Sequence, residues 1–63
     1  MAKELMDVTE AAEFLRLSRV TLDIWRSAKT GPPFIRAGRR ILYRLDDLRE
    51  WVAARQVTPE RVN

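Results

Sequence analysis

Apolar positions along this chain change their spacing twice, and the changes divide it into helical and extended segments. Ala11, Ala12, Phe14 and Leu15 recur at the spacing of one helix face, and Leu17 closes the run. Asp7 followed three residues later by Glu10 is a capping box, in which Asp7 accepts from a free backbone N–H and Glu10 reaches back, so a first helix is predicted over residues 8–16. Ser18 is a second N-cap and opens a helix predicted over 19–29, stopped by Gly31, Pro32 and Pro33. So tight a junction between two short amphipathic helices is the helix-turn-helix pattern rather than a bundle loop.

Beyond the prolines the period falls to two. Phe34–Arg36 and Arg40–Arg44 are short, rich in branched and aromatic residues, and separated by Ala37, Gly38 and Arg39, which predicts a hairpin over 34–44. Alternation sends Ile41, Tyr43 and Leu45 inward, leaving Arg40, Leu42 and Arg44 outward. Asp46 then caps a third helix over 47–55, with Leu48, Trp51 and Val52 as its buried stripe. Residues 56–63 show no apolar face and are expected to form a loose tail. The expected fold is mainly α with a small β-hairpin, a winged helix-turn-helix filling residues 1–63 as one domain.

Length and composition narrow the chemistry. A chain of 63 residues buries only about 60% of the surface it exposes when unfolded, too little for a second domain. It has no cysteine and no histidine, so neither a disulfide nor a zinc site of ordinary ligands is available, and no metal or other cofactor is expected. The 46% of hydrophobic residues, with Trp25 and Trp51 assigned to the core, supply a minimal interior. No apolar run spans a membrane and Met1–Met6 lacks a signal-peptide apolar region, which makes a cytoplasmic location the expectation. Asp46 and Asp47 are adjacent and serve a helix start. With no nucleophile and base set and no glycine-rich phosphate loop, catalytic residues and a small-molecule ligand are not expected.

Charge adds a direction. The net charge is +3, but residues 1–15 carry −3, residues 16–44 carry +7 with Asp23 as their single acid, and residues 45–63 carry −1. Segregated cations point to a polyanion, because clustered positive charge gains from counterion release. On a helical wheel, Leu22, Trp25 and Ala28 share one side of the second helix with Ser18 and Thr21; Arg19, Asp23, Arg26 and Thr30 lie opposite, flanked by Val20 and Ser27. Such a face suits the major groove, where Arg takes guanine O6 and N7 and Asp accepts from cytosine N4. Its bland alternative is a solvated polar face. Arg36, Arg39 and Arg40, expected at the hairpin tip, and Arg44 on the second strand would meet the minor groove or the flanking phosphates as a wing.

The segments EAAEFLRLSRVTLDIWR, GPPFIRAGRRILYR and DDLREWVAAR, together running from Glu10 to Arg55, resemble the excisionase and AlpA-like group of small MerR-related winged helix-turn-helix proteins. The resemblance implies double-stranded DNA as ligand. It places Ser18 at the cap and turn, Arg19, Val20, Thr21, Asp23 and Arg26 on the recognition helix, and Arg36, Arg39 and Arg40 on the wing. Thr21 stays open between the core edge assigned by the wheel and a phosphate contact implied by the family. Asp23 departs from the group, where a neutral or basic residue is commoner; it either reads a base or pairs with Arg19 or Arg26. The long dimerisation helix and effector domain of MerR regulators have no counterpart after the third helix.

Two functions follow from the resemblance: an excisionase that binds and bends attachment-site DNA to assist an integrase, and an AlpA-like transcriptional regulator. A third, from the charge alone, is an adaptor whose basic face docks an acidic protein. Cooperative self-association on DNA is expected because one small domain buries only about 600–1,000 Å² there, and outward-facing Leu42 marks the contact.

Overall fold

The computed structural model describes residues 4–59. Its elements are β1 (Leu5–Asp7), α1 (Val8–Leu15), α2 (Arg19–Ser27), β2 (Ile35–Ala37), β3 (Arg40–Arg44) and α3 (Leu45–Ala54). Three helices and a small antiparallel three-stranded sheet make a winged helix-turn-helix domain. The part of the expected tail at 60–63 lies outside the described residues; residues 56–59 are exposed and carry no regular element.

The capping box forms as its residues dictate: Glu10 N–H donates to Asp7 Oδ1 at 2.8 Å and Asp7 N–H donates to Glu10 Oε1 at 3.1 Å. α1 buries Val8, Ala11 and Ala12 and ends where Arg16 turns left-handed at φ 60°. Leu17 N–H then reaches back to the Ala12 carbonyl at 2.9 Å and Arg16 N–H to that of Glu13 at 3.1 Å, the paired bonds of a Schellman stop. Ser18 starts α2 by accepting from Thr21 N–H at 3.1 Å.

α2 is shorter than the expected 19–29. Lys29 adopts φ 58°, Thr30 N–H donates to the Trp25 carbonyl at 2.8 Å and Lys29 N–H to that of Arg26 at 3.1 Å, so the same stop recurs before Gly31 is reached. Gly31 has another task. At φ 85° it lies against the Trp25 indole, where a Cβ would come within 2.8 Å of Cε3.

A strand not expected from the sequence, β1, pairs with β3 in the order β1-β3-β2. Leu5, Met6 and Asp7 stand opposite Arg44, Tyr43 and Leu42, while Ile35, Arg36 and Ala37 stand opposite Leu42, Ile41 and Arg40. The first wing strand is therefore Ile35–Ala37 rather than Phe34–Arg36, and only Gly38 and Arg39 remain in the turn. Gly38 at φ 63° occupies the first central position, as a type II′ turn requires.

The added strand also moves the third helix. Leu45 N–H donates to the Glu4 carbonyl at 2.9 Å, so α3 starts at Leu45 with Arg44 at the N-cap and no side-chain cap bond. Asp46, expected as the cap, sits with Asp47 in the first turn, where a carboxylate still complements the helix dipole.

Val8, Ala11, Ala12, Leu22, Tyr43 and Leu48 form the core, with Met6, Leu15, Trp25, Phe34 and Ile41 packed partly against it. Six side chains depart from their expected environment, among them Val52 of the expected α3 stripe, which is 45% exposed. Trp25 and Trp51 are half-buried at the core edge, tilted against each other at 5.6 Å, with the Arg55 guanidinium 4.0 Å over Trp51. Phe14 is 40% exposed, and Ala28, past the end of α2, is exposed as well. Leu42 is half-buried, because β1 on one side and β2 on the other place Asp7 and Ile35 beside it.

Candidate nucleic-acid interface

Leu22, fully buried, anchors α2 and fixes which of its faces looks outward. Arg26, one turn on, is half-buried at the edge nearest the hairpin. Its Nη1 donates to the Tyr43 hydroxyl at 3.3 Å and its Nη2 to Asp23 Oδ1 at 2.6 Å. The hydrogen bond that Arg26 donates to the Tyr43 hydroxyl outweighs desolvation and, with the Asp23 carboxylate, holds the guanidinium pKa above its ordinary value. A buried core tyrosine thus sets the position of a surface charge.

Asp23 is thereby tied to Arg26 rather than to Arg19, the structural alternative of the two open in the sequence. Arg19 instead donates from Nη1 to Thr9 Oγ1 at 3.2 Å, joining the starts of α1 and α2. Thr21 is half-buried, and its Oγ1 lies 2.8 Å from Ser18 Oγ, which occupies both hydroxyls within the turn.

Between α2 and the hairpin runs a furrow of three adjoining hollows, each of which includes Arg26. The first, of about 400 Å³, is bounded by Asp7, Thr9, Arg19, Arg39, Arg40 and Ile41. The second lies among Asp23, Ser27, Arg36 and Ile41, and the third among Lys29, Thr30, Gly31, Phe34 and Arg36. Arg19, Arg26, Lys29, Arg36, Arg39 and Arg40 therefore line one trough, with Asp7 and Asp23 as its acids. Residues distant in sequence share it because the central strand carries the hairpin alongside α2.

The wing arginines do not all sit where the sequence suggested. Arg39 and Arg40 are at the tip. Arg36 is not: it faces Ile41 across the ladder, on the sheet side toward α2, with its guanidinium 6.0 Å from the Phe34 ring centre. Arg44 stands at the far end of β3 beside Glu4, Leu45 and Asp46, outside the furrow. Strand geometry puts it about 13 Å from Arg40.

Two residues of this surface went unassigned in the sequence. Lys29 was hidden because the helix was expected to continue through it. Ile24 is 59% exposed beside Val20 at 63%; their 40° separation on the helical wheel was the available signal.

Among the described residues no group of three or more His, Cys, Asp or Glu stands together as a metal site, and no helix is long and apolar enough to cross a membrane. A helix-turn-helix beside a basic hairpin defines the class: a winged helix-turn-helix domain, with DNA as the partner that such a domain implies. The chain belongs to the helix-turn-helix domain family, which matches residues 5–56. Comparison with proteins of curated function gives no match.

Proposed function

We propose that this protein binds double-stranded DNA sequence-specifically as an excisionase, presenting α2 to the major groove and the β2–β3 wing to the adjoining minor groove or phosphates. The observation that carries the DNA reading is the furrow, where six cations from α2, the turn after it and the hairpin line one trough. Arg19 and Arg26 face it from the helix and Arg36, Arg39 and Arg40 from the wing. Val20, Ser27 and Thr30 complete the helical surface, and Ser18, Thr21 and Asp23 hold its geometry. Arg44, outside the trough, contributes only to the general field.

The excisionase assignment rests on resemblance over Glu10–Arg55, with an integrase as partner and attachment-site DNA as target. Neighbouring copies are proposed to bind cooperatively. Half-burial of Leu42 removes it as their point of contact.

Mobility shifts on a 30-bp duplex across a salt series test the DNA reading. Arg39→Ala/Arg40→Ala should weaken binding to all duplexes and flatten the salt slope by about two phosphate contacts. An unchanged slope would remove the wing from the interface, and no complex at low salt would leave the acidic-protein adaptor in its place. Footprinting on the attachment sites nearest the gene, with excision by the adjacent integrase as readout, separates an excisionase from an AlpA-like regulator, which would protect a promoter instead.

A further inference from the structure

Val20 and Ile24 stand one turn apart on α2, 63% and 59% exposed, on the face opposite Leu22. Neither contributes to the core. Branched side chains lower helix propensity, so exposing two of them in a nine-residue helix costs stability without returning burial.

Four of the five polar side chains of this helix are already engaged within the protein, and Ser27 is the fifth. Arg19 donates to Thr9, Arg26 to Tyr43 and Asp23, and Thr21 is paired with Ser18. The bonds of Arg19 and Arg26 hold them at the furrow edge, while the outermost surface is Val20 and Ile24 with Ser27 beside them. A basic trough along one flank of an apolar crown fits a polyanion that also offers apolar groups. In the major groove the apolar group is the thymine 5-methyl. Side chains one helical turn apart have Cβ atoms about 5–6 Å from each other, which spans one to two base-pair steps of about 3.4 Å.

Resting on the DNA-binding reading, we propose that Val20 and Ile24 are specificity determinants that select sites by packing on thymine methyl groups. The arginines then supply charge and register more than base identity.

The test is a cycle between protein and DNA. A duplex enriched by the wild-type protein from a random 20-bp pool is resynthesised with deoxyuridine for thymidine, which removes the methyl and keeps base pairing. Wild-type binding should fall about fourfold for each methyl contacted, the worth of one buried methyl-sized group. Val20→Ala/Ile24→Ala should bind the thymine duplex more weakly and lose the difference between the two duplexes. Both positions are exposed, and thermal unfolding verifies that the variant is folded; the uridine comparison on wild-type protein needs no variant at all.

Equal wild-type affinity for both duplexes would overturn the proposal. So would an equal uridine penalty in the variant, since the methyls would then act through DNA shape. Undiminished binding of the thymine duplex by the variant would also overturn it and give the crown to a protein partner. In each case salt-dependent binding survives and the broader DNA reading stands, whereas absence of any complex at low salt removes both.

Discussion

α1 and α2 are built to nearly the same plan and do opposite things with it. They have eight and nine residues, each opens on a side chain that accepts from a backbone N–H three residues on, and each stops on a left-handed cation, Arg16 or Lys29. Yet α1 buries three residues and α2 buries Leu22 alone. Helices this short do not persist unaided, so α1 is held by its own packing while α2 is held at one buried leucine, one half-buried tryptophan and its caps. That economy leaves most of α2 available as surface. The comparison separates a helix that supports from a helix that is shown.

The strongest way to break it is Leu22→Ala. Loss of a fully buried leucine costs about 2–5 kcal/mol in a scaffold of a size that is stable by roughly 3–5 kcal/mol. Urea or thermal unfolding should show a largely unfolded variant at 25 °C; a cooperative transition close to wild type would mean that α2 is anchored elsewhere. Next comes Arg26→Ala, expected to cost about 1–3 kcal/mol at a cognate site, partly because Asp23 is left facing phosphate without its partner. Adding Asp23→Asn should recover part of the loss, and a strictly additive cycle would dissociate the pair from binding.

The caps come third. Asp7→Ala and Ser18→Ala should each cost about 1 kcal/mol of stability, with Asp7 the larger because its bond is reciprocated by Glu10. Equal and negligible losses would show that packing, not capping, starts both helices.

The smallest effects sharpen the comparison most. Arg16→Gly and Lys29→Gly each relieve a left-handed non-glycine residue, a gain of up to about 1 kcal/mol after the entropy of an added glycine is subtracted. Melting temperatures should rise slightly in both. Only Lys29→Gly should weaken low-salt DNA binding, because Lys29 lines the furrow; the same loss in Arg16→Gly would extend the interface onto the supporting helix.

Much of this division is legible in the residues themselves. Capping boxes and N-caps act over three or four positions, so Asp7, Glu10 and Ser18 announce both helix starts. Gly38 before Arg39 announces the turn, and clustering of cations between residues 16 and 44 points to a polyanion. Helix ends were less legible. Gly31 carried the usual stop signal, but the stop falls on Lys29, where Thr30 N–H closes back on the Trp25 carbonyl.

What the sequence by itself determined is local: the succession of three helices with a hairpin before the third, the starts of α1 and α2, the alternation of β3 and the sign of the charge. These depend on neighbours in the chain. The tertiary structure decided what depends on partners far along it. A three-residue strand has too few positions to show a period, and Leu5–Asp7 becomes one only because β3 has an open edge, which in turn moves the cap of α3 from Asp46 to Arg44 and its start from Asp47 to Leu45. Likewise Arg36 turns toward α2 and Arg44 away from the furrow by strand register, and Arg26 is aimed by a hydroxyl seventeen positions away on Tyr43. Side-chain direction follows from pairing and burial, and those are properties of the folded chain.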